Sequence, residues 1–372
     1  LKNGLKKIKE LASRLKIRFF CVFWKNPLTN GWKRLYYICD VNSIVLCKVN
    51  LEYDSVIRNQ KNGRTFLPAD KKGSSIMNAA YLTPAITLFH EDGSLDFESQ
   101  EHLFNNLIEN GVDGILVEGS SSEFFAMPMD QRREMAKFAI ETVNRRVKLI
   151  IGTSHMVADE IVNFSNFCLD AGADAVMILP PYYFHFGAEA LLQYYDRLAA
   201  QIHGNIYIYN FPDNTGYTIS PQTVLALAKI HPNIVGMKDT ISGMDHTREL
   251  IKVVKSQIPS FEIYSGFDDN FAHNVLAGGN GCIGALSNVV PEVCSAWVRA
   301  FRENDLDGIA RGQQTIDRLM DLYAVRSPFL PVIKEACKLR GVVASSTGTF
   351  PMPNATVEDD AKILELLRRE GV

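Results

Sequence analysis

From residue 77 onward, short runs of apolar, β-prone residues alternate with longer stretches in which apolar residues recur every three or four positions. The runs are "AYLTPAITLF", "DGILVEGS", "KLIIGTS", "DAVMILPP", "NIYIYNFP", "NIVGMKDT", "FEIYSG" and "GCIGALSN". Continuous apolar runs of this kind mark strands buried on both faces, and the helical period between them marks amphipathic helices. "DFESQEHLFNNLIENG" follows the first run and "ADEIVNFSNFCLDAGA" the third. Repeated right-handed strand–helix crossovers of this number close into a barrel, so residues 77–304 are predicted to form a (β/α)8 TIM barrel. A doubly wound open sheet is the competing architecture, but no GxGxxG turn follows the first strand. Helical segments near 305–323, 328–340 and 358–370 exceed what the barrel needs and define a C-terminal helical segment, 305–372.

Residues 1–76 show no sustained period beyond a basic amphipathic opening, "LKNGLKKIKELASRLK". They carry 16 Lys and Arg against 5 Asp and Glu, a net of +11, which leaves −14 for the rest of a chain whose total is −3. The first methionine is Met77, and "KKGSS" before it is what a purine-rich ribosome-binding stretch would encode if read through. The expectation is a basic extension, 1–76, that is disordered or foreign to the native protein, with Met77 as initiator; N-terminal sequencing of the native protein tests it. A nucleic-acid arm, a membrane-surface arm and a transit peptide are the alternatives.

With 47% apolar and 22% charged residues and no apolar run long enough to span a bilayer, a membrane protein is excluded by expectation. No signal-peptide core precedes a small-residue cleavage site, so the expected location is cytoplasmic. Cys21, Cys39, Cys47, Cys168, Cys282, Cys294 and Cys337 are odd in number and widely spaced, which fits reduced thiols better than disulfides or zinc. The eight histidines lack HxH or HExxH spacing, so no metal is expected.

Active sites of such barrels lie at the C-terminal ends of the strands. Ser120, Ser121, Ser122 and Glu123 follow strand two, Tyr182 and Tyr183 strand four, and Tyr209 and Asn210 end strand five. Lys238 and Asp239 end strand six, and Gly266, Asp268 and Asp269 follow strand seven. A lysine at the inner end of a core strand is costly, because burial disfavours an ammonium relative to the neutral amine. A neutral amine is a nucleophile that forms a Schiff base with a ketone, and the imine is an electron sink for a carbanion on the next carbon. The competing reading is that Lys238 reaches the rim and pairs with Asp239. Tyr209, one strand away at the same height, supplies a proton relay, or else is only a barrel-layer aromatic. The serines can hold a carboxylate and link the relay, or simply cap the next helix.

"EGSSSE", "PPYY", "YNFP" and "GMKDT", at the ends of strands two, four, five and six, resemble the motifs of the dihydrodipicolinate synthase/N-acetylneuraminate lyase family of class I, Schiff-base barrel enzymes. The resemblance runs from about Ala79 to the C-terminus. It implies that Lys238 forms the imine with pyruvate or another 2-oxo acid, and that Tyr209 is the general acid/base. Ser120 and Ser121 would hold the carboxylate and relay protons. Tyr183 would reach into a neighbouring subunit's site, which implies a homo-oligomer, a tetramer built from tight dimers. No cofactor, nucleic acid or membrane partner is implied. Ser122 stands where the family usually has glycine.

Within the family, an arginine after the "YNxP" tyrosine binds the second carboxylate in dihydrodipicolinate synthases, whereas this chain has Asp213 and Asn214 there. "SGFDDN" offers Gly266, Asp268 and Asp269 to substrate hydroxyls, and Ala285 lines the pocket after strand eight. The resemblance is nearest to aldolases that cleave 2-keto-3-deoxy sugar acids, such as 2-keto-3-deoxygluconate, to pyruvate and an aldehyde. Dihydrodipicolinate synthesis, sialic acid cleavage and keto-deoxy sugar acid dehydration are the rival activities, and a non-catalytic 2-oxo acid binding barrel is the rival of another class. "AGGNGCIGALSN" has no basic residue beside it, so a phosphorylated substrate is not expected.

Overall fold

A computed structural model of the protein describes residues 77–372, together with the backbone of two earlier strands. The chain divides into two compact units, Leu1–Gly73 and Ser74–Val372, each described by itself. In the first, β1 (Arg18–Lys25) pairs antiparallel with β2 (Trp32–Cys39), Arg18 opposite Cys39 and Lys25 opposite Trp32. The pattern reading assigns no strand here, and the structure corrects it. "RFFCVFWK" and "WKRLYYIC" are aromatic-rich and β-prone, but neither alternates apolar with polar, so a search for period two passes over them. The basic opening, 1–16, lies outside the described residues.

The second unit is a closed parallel barrel. Its strands are β3 (Ala80–Pro84), β4 (Gly114–Val117), β5 (Lys148–Gly152), β6 (Ala175–Ile178), β7 (Ile206–Asn210), β8 (Ile234–Asp239), β9 (Glu262–Ser265) and β10 (Gly281–Ile283). Each pairs with the next, and β10 closes on β3. Closure brings the β10 backbone hard against β3: a Cβ at Gly281, where φ is +134°, would lie 1.8 Å from the Ala80 carbonyl oxygen, so only glycine fits.

Alternation along each strand sorts side chains into two layers. Leu82, Leu116, Ile150, Met177, Tyr207, Tyr209, Tyr264 and Ile283 pack together in the barrel's interior. Tyr81, Ile115, Ile151, Val176, Ile208, Met237 and Ile263, at the intervening positions, pack outward against the helices. Complete burial of one such aliphatic chain contributes about 1.5–3 kcal/mol, so both layers favour a single register.

The helices follow the sequence period. α1 (Phe97–Glu109) begins where the Asp96 side chain accepts the Ser99 N–H at 3.0 Å. α2 (Met129–Val143), α3 (Ala158–Ala171), α4 (Ala188–Ala199), α5 (Pro221–Ile230), α6 (Asp245–Leu250), α7 (Phe271–Leu276) and α8 (Pro291–Glu303) complete the outer ring. Beyond it come α9 (Leu306–Leu319), α10 (Leu330–Leu339) and α11 (Val357–Glu370). No described helix is long and apolar enough to cross a membrane. Cys168, Cys282, Cys294 and Cys337 are buried free thiols.

Candidate active site

Strand register assembles the centre of the site. Lys238 on β8 is the cross-strand partner of Tyr209 on β7 and of Tyr264 on β9, at interior-facing positions. Its side chain is buried, and Nζ lies 4.6 Å from the centroid of the Tyr209 ring. Among the described residues, no carboxylate lies within ion-pair distance of Lys238. Asp239 does not pair with it, because adjacent strand residues face opposite sides. Asp239 points into the helix layer, where Oδ1 accepts from Asn210 Nδ2 at 2.8 Å and Oδ2 accepts from Thr247 Oγ1 at 2.7 Å. His246 Nδ1 meets the same carboxylate at 2.9 Å, and its Nε2 faces the Ile219 carbonyl at 2.9 Å. Burial pulls the His246 pKa down, but the hydrogen bond and charge of Asp239 outweigh it and the net shift is upward.

After β4, residues Ser120–Ser122 form one turn of 3-10 helix. Ser120 Oγ lies 3.4 Å from Tyr209 Oη, so lysine, tyrosine and serine form one continuous group across β8, β7 and the β4 loop. The N–H groups of Ser122 and Glu123 close the turn on Gly119 and Ser120, whereas those of Ser120 and Ser121 have no partner among the described residues. Two adjacent free amides and a hydroxyl are the kind of donor set that suits an anion. Ser122, in the place expected for glycine, is wholly buried and donates its hydroxyl to the Ala85 carbonyl at 2.6 Å.

The turn is bracketed by two buried glutamates in the left-handed region, Glu118 and Glu123, each with φ 58°. Glu118 accepts from Arg132 Nε at 2.6 Å, and the same guanidinium donates to the Ser154 and Gly152 carbonyls. Burial pushes the Glu118 carboxyl up to about 7, although Arg132 opposes the shift. Glu123 pairs with Lys334 of α10, both side chains being wholly buried. Burial depresses the Lys334 pKa against the opposing pull of Glu123.

The other expected site residues lie on the loops that follow β6, β7, β9 and β10. Tyr183, after β6, is 78% exposed, with its ring edge-on to Phe184. Asp213 and Asn214 are exposed on a short helical turn, Pro212–Thr215, directly after β7. Gly266 follows β9, where a Cβ would lie 1.8 Å from Thr240 Oγ1. Ala285 is buried at the start of the turn Ala285–Asn288. Asp269 is half-buried, with Oδ1 unpartnered. Asp268 corrects the expectation that it faces substrate hydroxyls. It is fully buried and accepts from Tyr81 Oη, from Tyr323 Oη at 2.7 Å and from the Leu286 N–H at 3.0 Å, so its oxygens bind the barrel wall to the C-terminal segment. Arg132, Lys334, His246 and Thr247 were not singled out from sequence. The usable signal was a charge at an apolar helix position, as in "LPVIKEACKL" for Lys334.

Fold and rim together define a (β/α)8 barrel with an interior lysine and tyrosine at its C-terminal mouth. The Dihydrodipicolinate synthetase family matches residues 77–369. The chain is 35% identical over 291 residues to YjhH of Escherichia coli K12, named "Probable 2-dehydro-3-deoxy-D-pentonate aldolase", covering 78% of this chain and 97% of YjhH. It is 32% identical to a 4-hydroxy-tetrahydrodipicolinate synthase of Kosmotoga olearia, over 79% of this chain and 97% of that one. The crystal structure of YagE of E. coli K12 in complex with pyruvate superimposes with a TM-score of 0.77 at 34% identity, covering 78% of this chain and 98% of YagE. The chain therefore belongs to the dihydrodipicolinate synthetase family.

Proposed function

We propose that the protein is a class I aldolase that cleaves a 2-keto-3-deoxy sugar acid, such as 2-keto-3-deoxygluconate, to pyruvate and an aldehyde. The observation that carries this reading is the line of Lys238, Tyr209 and Ser120, with Nζ over the tyrosine ring and the two hydroxyls 3.4 Å apart. The Lys238 amine adds to the C2 ketone, and the carbinolamine loses water to give the imine. Tyr209 removes the proton of the C4 hydroxyl as the C3–C4 bond breaks, and the bonding pair moves into the imine to give an enamine. Protonation at C3 and hydrolysis of the imine release pyruvate and regenerate Lys238. Ser120 and the free amides of Ser120 and Ser121 hold the carboxylate.

The names given to YjhH ("Probable 2-dehydro-3-deoxy-D-pentonate aldolase") and YagE ("Putative 2-dehydro-3-deoxy-D-gluconate aldolase") support this substrate class. So does the absence of an arginine directly after "YNFP", since a second substrate carboxylate asks for a bidentate cation. Asp213, Asn214 and Asp269 are the groups we assign to the sugar hydroxyls, with Gly266 and Ala285 shaping the wall. Tyr183, Phe184 and Phe186 leave an apolar patch uncovered, which supports a homo-oligomer, a dimer of dimers in which Tyr183 reaches the neighbouring site. The deciding experiment is borohydride reduction with pyruvate, followed by peptide mass mapping. A pyruvate-derived adduct on Lys238 that is lost in Lys238→Ala, with pyruvate released from keto-deoxy sugar acids, is the expected result. A folded protein with no adduct overturns the reading.

A further inference from the structure

The ion pair beneath the serine turn has no part in the chemistry above, yet it is among the most completely buried polar groups in the barrel. Lys334 and Glu123 are both wholly buried, and Lys334 Nζ also donates to the Thr347 carbonyl at 2.9 Å and lies 4.8 Å from the Phe89 ring centroid. Glu123 Oε2 accepts both the Thr349 N–H and its Oγ1 at 2.7 Å. One charge pair thus ties the β4 loop, helix α10 and the segment 347–349 together. Glu123 is also the residue whose N–H closes the turn on Ser120, and it holds φ at 58°, a left-handed conformation that is unfavourable for a non-glycine residue. A buried pair with one partner removed is strongly destabilising, while a neutral pair of similar shape is often tolerated. Such a pair is therefore weak support for stability alone.

We propose that Glu123 and Lys334 are positioning residues that fix the Ser120–Ser122 turn for the substrate carboxylate. C-terminal residues more than 200 positions downstream thereby set the affinity for the 2-oxo acid. The inference rests on the reading of Lys238 and the serine turn given above. Glu123 anchors the C-terminal side of the turn from below, and Lys334 and Thr349 hold Glu123 from the other end of the chain.

The test is borohydride trapping of Lys238 across a pyruvate titration in the full chain, which separates half-saturating concentration from maximal labelling. The double variant Glu123→Gln/Lys334→Met removes both charges with little change of shape. It is expected to raise half-saturation about tenfold or more at unchanged maximal labelling. Thr349→Val, which keeps the N–H bond and deletes only the hydroxyl bond, is expected to raise it about threefold. Lys148→Met, which breaks an ion pair at the far end of the barrel, is expected to leave it unchanged. Half-saturation within about twofold of wild type in a folded double variant overturns the proposal. If the double variant does not fold, an unchanged value in Thr349→Val does so. Wild-type protein that forms no adduct overturns the underlying reading and the positioning role together, whereas wild-type labelling with unmoved variants removes the positioning role alone.

Discussion

The two mouths of the barrel carry the same residue types and use them differently. At the N-terminal mouth, Lys148 Nζ donates to Tyr207 Oη at 3.0 Å and to Glu262 Oε1 and Oε2 at 3.0 and 2.8 Å. Tyr207 and Tyr264 also donate to Glu262, so the ammonium's three protons all have acceptors and the carboxylate is saturated. Burial raises the Glu262 pKa, but the bonds from Lys148 and the tyrosines outweigh it and hold it below its usual value. At the C-terminal mouth, Lys238 faces a tyrosine ring and no described carboxylate, and the adjacent acid, Asp239, is turned outward. A lysine with every proton paired is structural, whereas one without a counter-ion is free to react. Cavity size is a poor guide here, since a cavity of about 920 Å³ opens at the N-terminal mouth, beside Lys148 and Glu262.

Exchanging the two lysines for neutral residues gives the largest contrast. Lys238→Ala is expected to lower pyruvate release by at least about 10³-fold. Lys148→Ala is expected to leave turnover within about threefold and to cost about 1 kcal/mol or less of stability, because the pair is partly solvated. Steady-state turnover and denaturant midpoints measure both, and comparable turnover losses at the two ends would break the contrast.

The tyrosines give the next contrast, since Tyr207 and Tyr209 lie two residues apart on one strand and both point inward. Tyr209→Phe is expected to lower kcat about 10²–10⁴-fold, the usual contribution of a positioned acid/base. Tyr207→Phe is expected to leave kcat unchanged. A smaller step is Ser120→Ala, expected to lower kcat/KM about tenfold by removing the hydroxyl at 3.4 Å from Tyr209. Pyruvate release across a substrate titration reads all three variants.

The interior pairing of Lys238 with Tyr209 was legible because strand position and period two fix both height and face. "GMKDT" and "YNFP" need only the register between β7 and β8. The fate of Asp268 was not, because its donors Tyr81 and Tyr323 lie 187 and 55 residues away, on β3 and after α9. Lys334 was hidden for the same reason: its partner sits on the β4 loop, and the bond from Thr349 to Glu123 spans 226 residues. Local pattern shows which residues are buried. It does not show which distant polar group meets them.

The smallest contrast concerns what keeps Asp239 out of the lumen. His246 offers both ring nitrogens to acceptors, the Asp239 carboxylate and the Ile219 carbonyl, so the fold favours the doubly protonated ring and raises its pKa. A basic group whose folded pKa exceeds its unfolded value binds protons more tightly in the folded state. Its stabilisation is fully present below the unfolded value, about 6.5, and is lost as pH rises through the folded one. Stability of the wild type should therefore fall relative to His246→Gln as pH rises above about 6.5, read from urea midpoints measured on both sides of that value. Glutamine keeps a donor for Asp239 but does not titrate, so the variant's curve should lack this pH-dependent component. If deprotonation also loosens Asp239, pyruvate labelling of Lys238 at saturation will drop at high pH in the wild type and not in the variant. Parallel stability curves for the two proteins would mean that Thr247 and Asn210 alone hold the carboxylate outward.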